Sequence, residues 1–343
     1  MKAVAKTNSG KGFELIDAPT PNPKKGEVLV KIKACSVCGT DVHIYNNDPP
    51  WDTRIKTPRI IGHEFTGVVE KIGQGVKRVK VGDTVANESH IYCGNCSQCK
   101  AGRPHTCLNI KAVGIDIDGS YAEHIVVPEH VLFKVSPKLP PHIATLHESF
   151  GNSVYTVSAG PVKGKTIAVF GLGPTGLFAV AVAKHWGAKK IIAVSGTKEH
   201  IDLGKRVGAH VVVDRHNENV VERVKEETNG DGVDVFYEMA GSQGAIEQGL
   251  KVLKPGGQAT LLGLPPQQVC LMWSKDVVLK DITIRAIYGR EIPHTWNLMK
   301  KLFTDKKFDI SPIVTHKFKL DDFEKAIEVM KSGRSGKVVM FPE

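Results

Sequence analysis

Up to about residue 150 the chain is written in short stretches. Residues 27–33 (EVLVKIK) alternate apolar and polar positions, the period-two pattern of a strand with one buried face, and residues 67–73 (GVVEKIG) read as another strand. Frequent Gly and Pro break the remainder of this stretch into turns. After Gly164 the texture changes. Residues 165–170 (KTIAVF) form a short buried-strand pattern, followed by a glycine loop, an apolar helical run over 176–186 and a second strand at 190–194. The alternation continues with helix 199–207, strand 211–213, helix 219–227, strand 233–238, helix 245–253 and strand 258–262. Strand, helix, strand at this rhythm predicts an α/β fold with a doubly wound parallel sheet of the Rossmann type. From about residue 290 the pattern is helical again, and it closes on a strand-like stretch at 336–341.

A chain of 343 residues exceeds one small core. The texture predicts two domains: residues 1–150, with 291–343 returning to them, and a dinucleotide-binding domain over 151–290. Apolar content of 41% with 24% charged residues is that of a soluble globular protein. The longest apolar run, Leu177 to Ala183, is too short to span a bilayer, and the start has no signal-peptide pattern. A cytoplasmic protein without a membrane partner is expected. The net charge of +10 raises nucleic-acid binding. The lysines, however, are scattered in pairs such as Lys24-Lys25 and Lys306-Lys307, with no arginine-rich stripe or aromatic-basic motif. They read as a solvated surface with some attraction for an anionic cofactor.

Gly171-Leu-Gly173-Pro174-Thr175-Gly176 is a GxGxxG placed between a predicted strand and a predicted helix, the setting in which such a loop cradles a dinucleotide pyrophosphate. An NAD-binding unit usually carries Asp or Glu after the next strand, to accept hydrogen bonds from the ribose. Here that place reads Ser195-Gly196-Thr197-Lys198. A hydroxyl-bearing loop followed by a cation can house a 2′-phosphate, so NADP is the favoured cofactor, with NAD held by hydroxyl contacts alone as the alternative.

Four of the seven cysteines, Cys93, Cys96, Cys99 and Cys107, stand close together and offer the thiolates of a closed tetrahedral zinc site; iron–sulfur ligation uses similar spacing. A closed shell has no position for substrate, so this lobe is read as structural. Cys38, His63 and Glu64 are zinc ligand types contributed from separate places, as an open catalytic site requires. Cys35 reads as a small core residue.

Gly62-His63-Glu64-x2-Gly67-x5-Gly73-x2-Val76, with the four-cysteine lobe and glycine loop following in order, resembles the zinc-dependent medium-chain alcohol dehydrogenase family. The resemblance implies a β-rich GroES-like catalytic domain beside the Rossmann domain, two zinc ions per chain and a homotetramer. It assigns Cys38, His63 and Glu64 to the catalytic zinc and Thr40 and His43 to a proton relay. Glu148 becomes an acid beside the metal and His90 a residue of substrate discrimination. Further strings, among them residues 38–45, 148–152, 287–291 and 309–316, resemble the branch of that family acting on L-threonine. They imply oxidation to 2-amino-3-oxobutanoate with hydride transfer to NAD(P). A polyol or 2,3-butanediol substrate on the same scaffold is the runner-up, and a catalytically silent nucleotide-binding relative is the remote alternative.

Overall fold

The computed structural model describes residues 1–342. Its six-stranded sheet is parallel throughout, in the spatial order Val211–Asp214, Lys190–Ser195, Thr166–Phe170, Val233–Glu238, Leu253–Leu261, Thr283–Ala286. The central strand Thr166–Phe170 is apolar after its first residue because helices cover both faces. Ile167 and Val169 belong to one core with the helices His147–Ser158 and Pro174–His185, whereas Ala168 and Phe170 belong to the core on the opposite face. Each fully buried Ile, Val or Phe contributes about 1.5–3 kcal/mol of transfer free energy. The last strand, Thr283–Ala286, is exposed along its length at the sheet edge.

The N-terminal region forms a seven-stranded sheet around the long strand Glu27–Val37, which pairs with Phe65–Ile72, His124–Pro128 and Lys337–Phe341. Lys337–Phe341 pairs antiparallel with Glu27–Val37, so the end of the chain lies on the N-terminal sheet. The helix Phe323–Lys331 connects two adjacent parallel strands, Val314–Lys319 and Lys337–Phe341, of which sequence reading expected only the second. The helix His147–Ser158 crosses the expected 150/151 boundary and packs on Pro174–His185. No helix among the described residues is long and apolar enough to cross a membrane.

Candidate active site

Cys38 ends the long strand's path and caps the helix Gly39–Asn46 in extended conformation. Its amide donates to Asp41 Oδ2 at 2.9 Å. His63 and Glu64 precede the strand Phe65–Ile72, and fully buried Asn87 fixes that entry. Its Nδ2 donates to the His63 carbonyl and its Oδ1 accepts from the Phe65 amide, each at 2.8 Å. These two anchors bring ligand atoms of Cys38, His63 and Glu64 to within 4.8 Å of one another. A thiolate, an imidazole and a carboxylate so placed fit a zinc ion with room left for a fourth ligand.

Asp41, absent from the sequence-based candidates, orients this set. It is fully buried, accepts from the Tyr121 hydroxyl at 2.7 Å, and stands 3.4 Å from His63 Nδ1. Burial opposes charge on His63, but the Asp41 carboxylate and the Cys38 sulfur outweigh it and hold its pKa well above the ordinary imidazole range. With a metal bound, the same carboxylate would hold the His63 ring in one tautomer and orientation. Glu64 accepts from Ser36, from Ser149 Oγ at 3.2 Å and from Lys337 Nζ at 2.7 Å. Lys337 is itself buried, and the carboxylate keeps it charged against the cost of burial.

Glu148 lies outside the 4.8 Å group. It accepts from Ser89 Oγ at 2.5 Å and pairs with fully buried Arg290. Burial alone would raise its pKa; the guanidinium prevails and holds it at about 2. Arg290 also faces Glu88 at 3.3 Å, which accepts from Trp296 Nε1 at 3.2 Å and meets His90 Nδ1 at 3.0 Å. His90, half-buried beside the Tyr288 ring, is therefore linked to Glu148 through Glu88 and Arg290. Arg290 is thus paired with both Glu88 and Glu148. Thr40 and His43 sit three apart on the helix capped by Cys38, sharing one face. His43 is exposed, and its Nδ1 meets Asp48 at 2.9 Å.

The other cysteine set converges as well, with all four sulfur atoms within 4.8 Å of one another and no disulfide among them. Cys107 Sγ lies 3.4 Å from Cys93 Sγ and 3.8 Å from Cys96 Sγ. Zinc–sulfur bonds of about 2.3 Å give a tetrahedron with edges of about 3.8 Å, so the set fits one zinc ion with no open position. Cys35 is buried in the core, its thiol meets the Met340 carbonyl, and it belongs to neither set.

In the glycine loop, Gly171 has φ +95°, and a Cβ on Gly176 would stand 1.8 Å from the Gly171 carbonyl oxygen. Gly173 caps the helix with nothing within 4 Å of its Cβ position, leaving backbone open to a pyrophosphate at the helix N-terminus. Pro174 takes the first helical turn, and the Thr175 carbonyl accepts from Ser153 Oγ at 2.8 Å. Ser195 ends the next strand, and Gly196, Thr197 and Lys198 turn into the helix Lys198–Arg206.

A parallel nucleotide-binding sheet next to a buried sulfur–nitrogen–oxygen donor set defines a metal-containing, dinucleotide-dependent oxidoreductase. Residues 24–137 match the family model of the alcohol dehydrogenase GroES-like domain, and residues 174–305 match that of the zinc-binding dehydrogenases. The L-threonine 3-dehydrogenase of Pyrococcus horikoshii is 44% identical over 99% of this chain and 98% of its own. That of Bacillus subtilis is 42% identical over 100% and 99%. Among solved structures, an alcohol dehydrogenase from E. coli CFT073 complexed with NADH superposes at TM-score 0.91, with 25% identity and 99% coverage of both chains. A zinc-binding dehydrogenase from Sinorhizobium meliloti 1021 bound to NADP superposes at 0.90, with 28% identity and 99% coverage of both. The 2R,3R-butanediol dehydrogenase of Bacillus subtilis superposes at 0.88, with 28% identity over 100% of this chain and 99% of that one. The chain belongs to the zinc-dependent medium-chain alcohol dehydrogenase family.

Proposed function

We propose that this chain oxidises L-threonine at its secondary alcohol to 2-amino-3-oxobutanoate, with NAD(P) as hydride acceptor and NADP favoured. The observation that carries the chemistry is the convergence of Cys38, His63 and Glu64, joined through one helix to the glycine loop. The substrate reading is supported by whole-length relatives named for L-threonine at 44% and 42% identity, against 28% for the butanediol enzyme.

Cys38, His63 and Glu64 would hold the catalytic zinc, which when bound supplies Lewis acidity toward the alcohol oxygen, and Gly171, Gly173 and Gly176 would hold the pyrophosphate of the hydride acceptor. Asp41 keeps the His63 ring aimed. Thr40 receives the alcohol proton at its hydroxyl oxygen as it passes its own proton outward, and His43, restrained by Asp48, takes it toward solvent. Arg290 fixes Glu88 and Glu148, and Glu88 holds the His90 ring, so His90 meets the substrate in one orientation. The four-cysteine set would hold a second zinc with a structural role. A cytoplasmic homotetramer completes the proposal.

Steady-state kinetics with L-threonine, 2,3-butanediol and polyols, each with NAD and NADP, test it. L-threonine should give the highest kcat/KM; a higher value for butanediol or a polyol would overturn the substrate assignment. Cys38→Ser should abolish turnover in a folded protein.

A further inference from the structure

The strand Lys190–Ser195 runs beside Val211–Asp214, with Ser195 opposite Asp214 and the Arg215 amide donating to the Ser195 carbonyl at 2.9 Å. The turn after Ser195 therefore faces the loop that begins at Arg215. A Cβ on Gly196 would come within 2.5 Å of Arg215 Nε and 2.6 Å of His216 Nε2. With no side chain at 196, the guanidinium and the imidazole pack directly against the turn. Where an NAD-specific unit places a carboxylate, this chain places no side chain and two nitrogen donors. Thr197 Oγ1, in the same turn, is shielded from solvent and has no hydrogen-bond partner in the protein. The carboxylate opposite Ser195 is committed elsewhere: Asp214 accepts from the His216 amide at 3.0 Å and from Asn217 Nδ2 at 2.7 Å. It shapes the loop that presents Arg215 and His216.

We propose that Arg215 and His216 are specificity-determining residues that bind the 2′-phosphate of NADP together with Ser195 and Thr197, and that Gly196 is needed to make room for them. The assignment rests on the NADP reading above. A guanidinium offers a phosphate two parallel N–H donors, and Nε2 of His216 adds a third from the same side. Both side chains are exposed and reach this corner from a different strand, so removing either leaves the parallel sheet and the glycine loop intact.

Binding to the zinc-loaded enzyme tests this without turnover. NADPH and NADH are titrated by nicotinamide fluorescence, and 2′,5′-ADP and 5′-AMP by calorimetry. Arg215→Ala should weaken NADPH and 2′,5′-ADP by roughly 10- to 100-fold, the range for a charged hydrogen-bond partner. NADH and 5′-AMP should stay within about twofold, which also shows that the variant is folded. Gly196→Asp should shift preference toward NADH. If wild type prefers the 2′-phosphorylated ligands and Arg215→Ala keeps that preference, the assignment is overturned while the NADP reading stands. If wild type itself binds NADH more tightly and 2′,5′-ADP no better than 5′-AMP, the NADP reading fails and the assignment with it.

Discussion

Ser149 and Ser153 stand one turn apart on the helix His147–Ser158 and hold two different sites, the first donating to Glu64 at 3.2 Å and the second to the Thr175 carbonyl at 2.8 Å. Four residues of helix rise about 6 Å. One rigid element thus sets the metal donors and the glycine loop in register, although they lie far apart in sequence. Each hydroxyl hydrogen bond is worth about 1 kcal/mol net, or roughly fivefold in an equilibrium. Ser153→Ala should weaken nucleotide binding by about that factor and leave zinc content unchanged. Ser149→Ala should leave nucleotide affinity unchanged and weaken zinc retention instead. Fluorescence titration and metal analysis of both variants check the split.

Asp41 would act on a zinc bound at Cys38, His63 and Glu64 through the His63 ring. Asp41→Asn keeps the shape but removes the charge that faces Nδ1 across 3.4 Å. Loss of such a supporting carboxylate typically costs 10- to 100-fold in metal affinity. A chelator competition should show that loss for one zinc per chain, with the ion at Cys93, Cys96, Cys99 and Cys107 unaffected.

Arg290 is fully buried between Glu88 and Glu148. Arg290→Met would strand two buried carboxylates, and breaking a buried pair from one side costs about 3–5 kcal/mol. Urea unfolding at neutral pH should register a loss of that size. A loss below about 1 kcal/mol would mean that water or another cation compensates the acids.

His147 should make the fold sensitive to acid. Its ring is buried between Trp296 and Phe303, and burial pushes its pKa down to about 4 from an ordinary 6.5, against the pull of the Ala144 carbonyl. The unfolded chain binds this proton first, so stability is whole above pH 6.5 and falls as pH drops toward 4, by about 3 kcal/mol at most. Glu148 adds a second loss at lower pH, between its ordinary 4.5 and about 2. His147→Gln should make the fall in unfolding free energy between pH 6.5 and 4 shallower while leaving the lower limb in place.

The parallel sheet was legible because strands such as Thr166–Phe170 are buried on both faces and carry short apolar runs between helical patterns. Thr283–Ala286 escaped because all four of its residues are exposed, so burial left no periodic mark. Val314–Lys319 mixes Thr, His and Lys with its two apolar residues, so it gives no strand signal and falls inside the stretch read as helical from about residue 290. The donors Cys38, His63 and Glu64 could be read as residue types near glycines, but their supports could not. Asp41 looks like an ordinary acid in a first helical turn, and Lys337 like a surface cation. Only the pairing of Lys337–Phe341 with Glu27–Val37 carries Lys337 to Glu64. Arg215 and His216 reach the Ser195 turn only through strand register.

Anomalous diffraction at the zinc edge, on crystals of enzyme shown to turn over L-threonine, tests the central claim most directly. Two peaks per chain are expected. One should lie among the four cysteine sulfurs, and the other about 2.0–2.3 Å from Cys38 Sγ and His63 Nε2. An active crystal with no zinc peak between Cys38 and His63 would contradict the account.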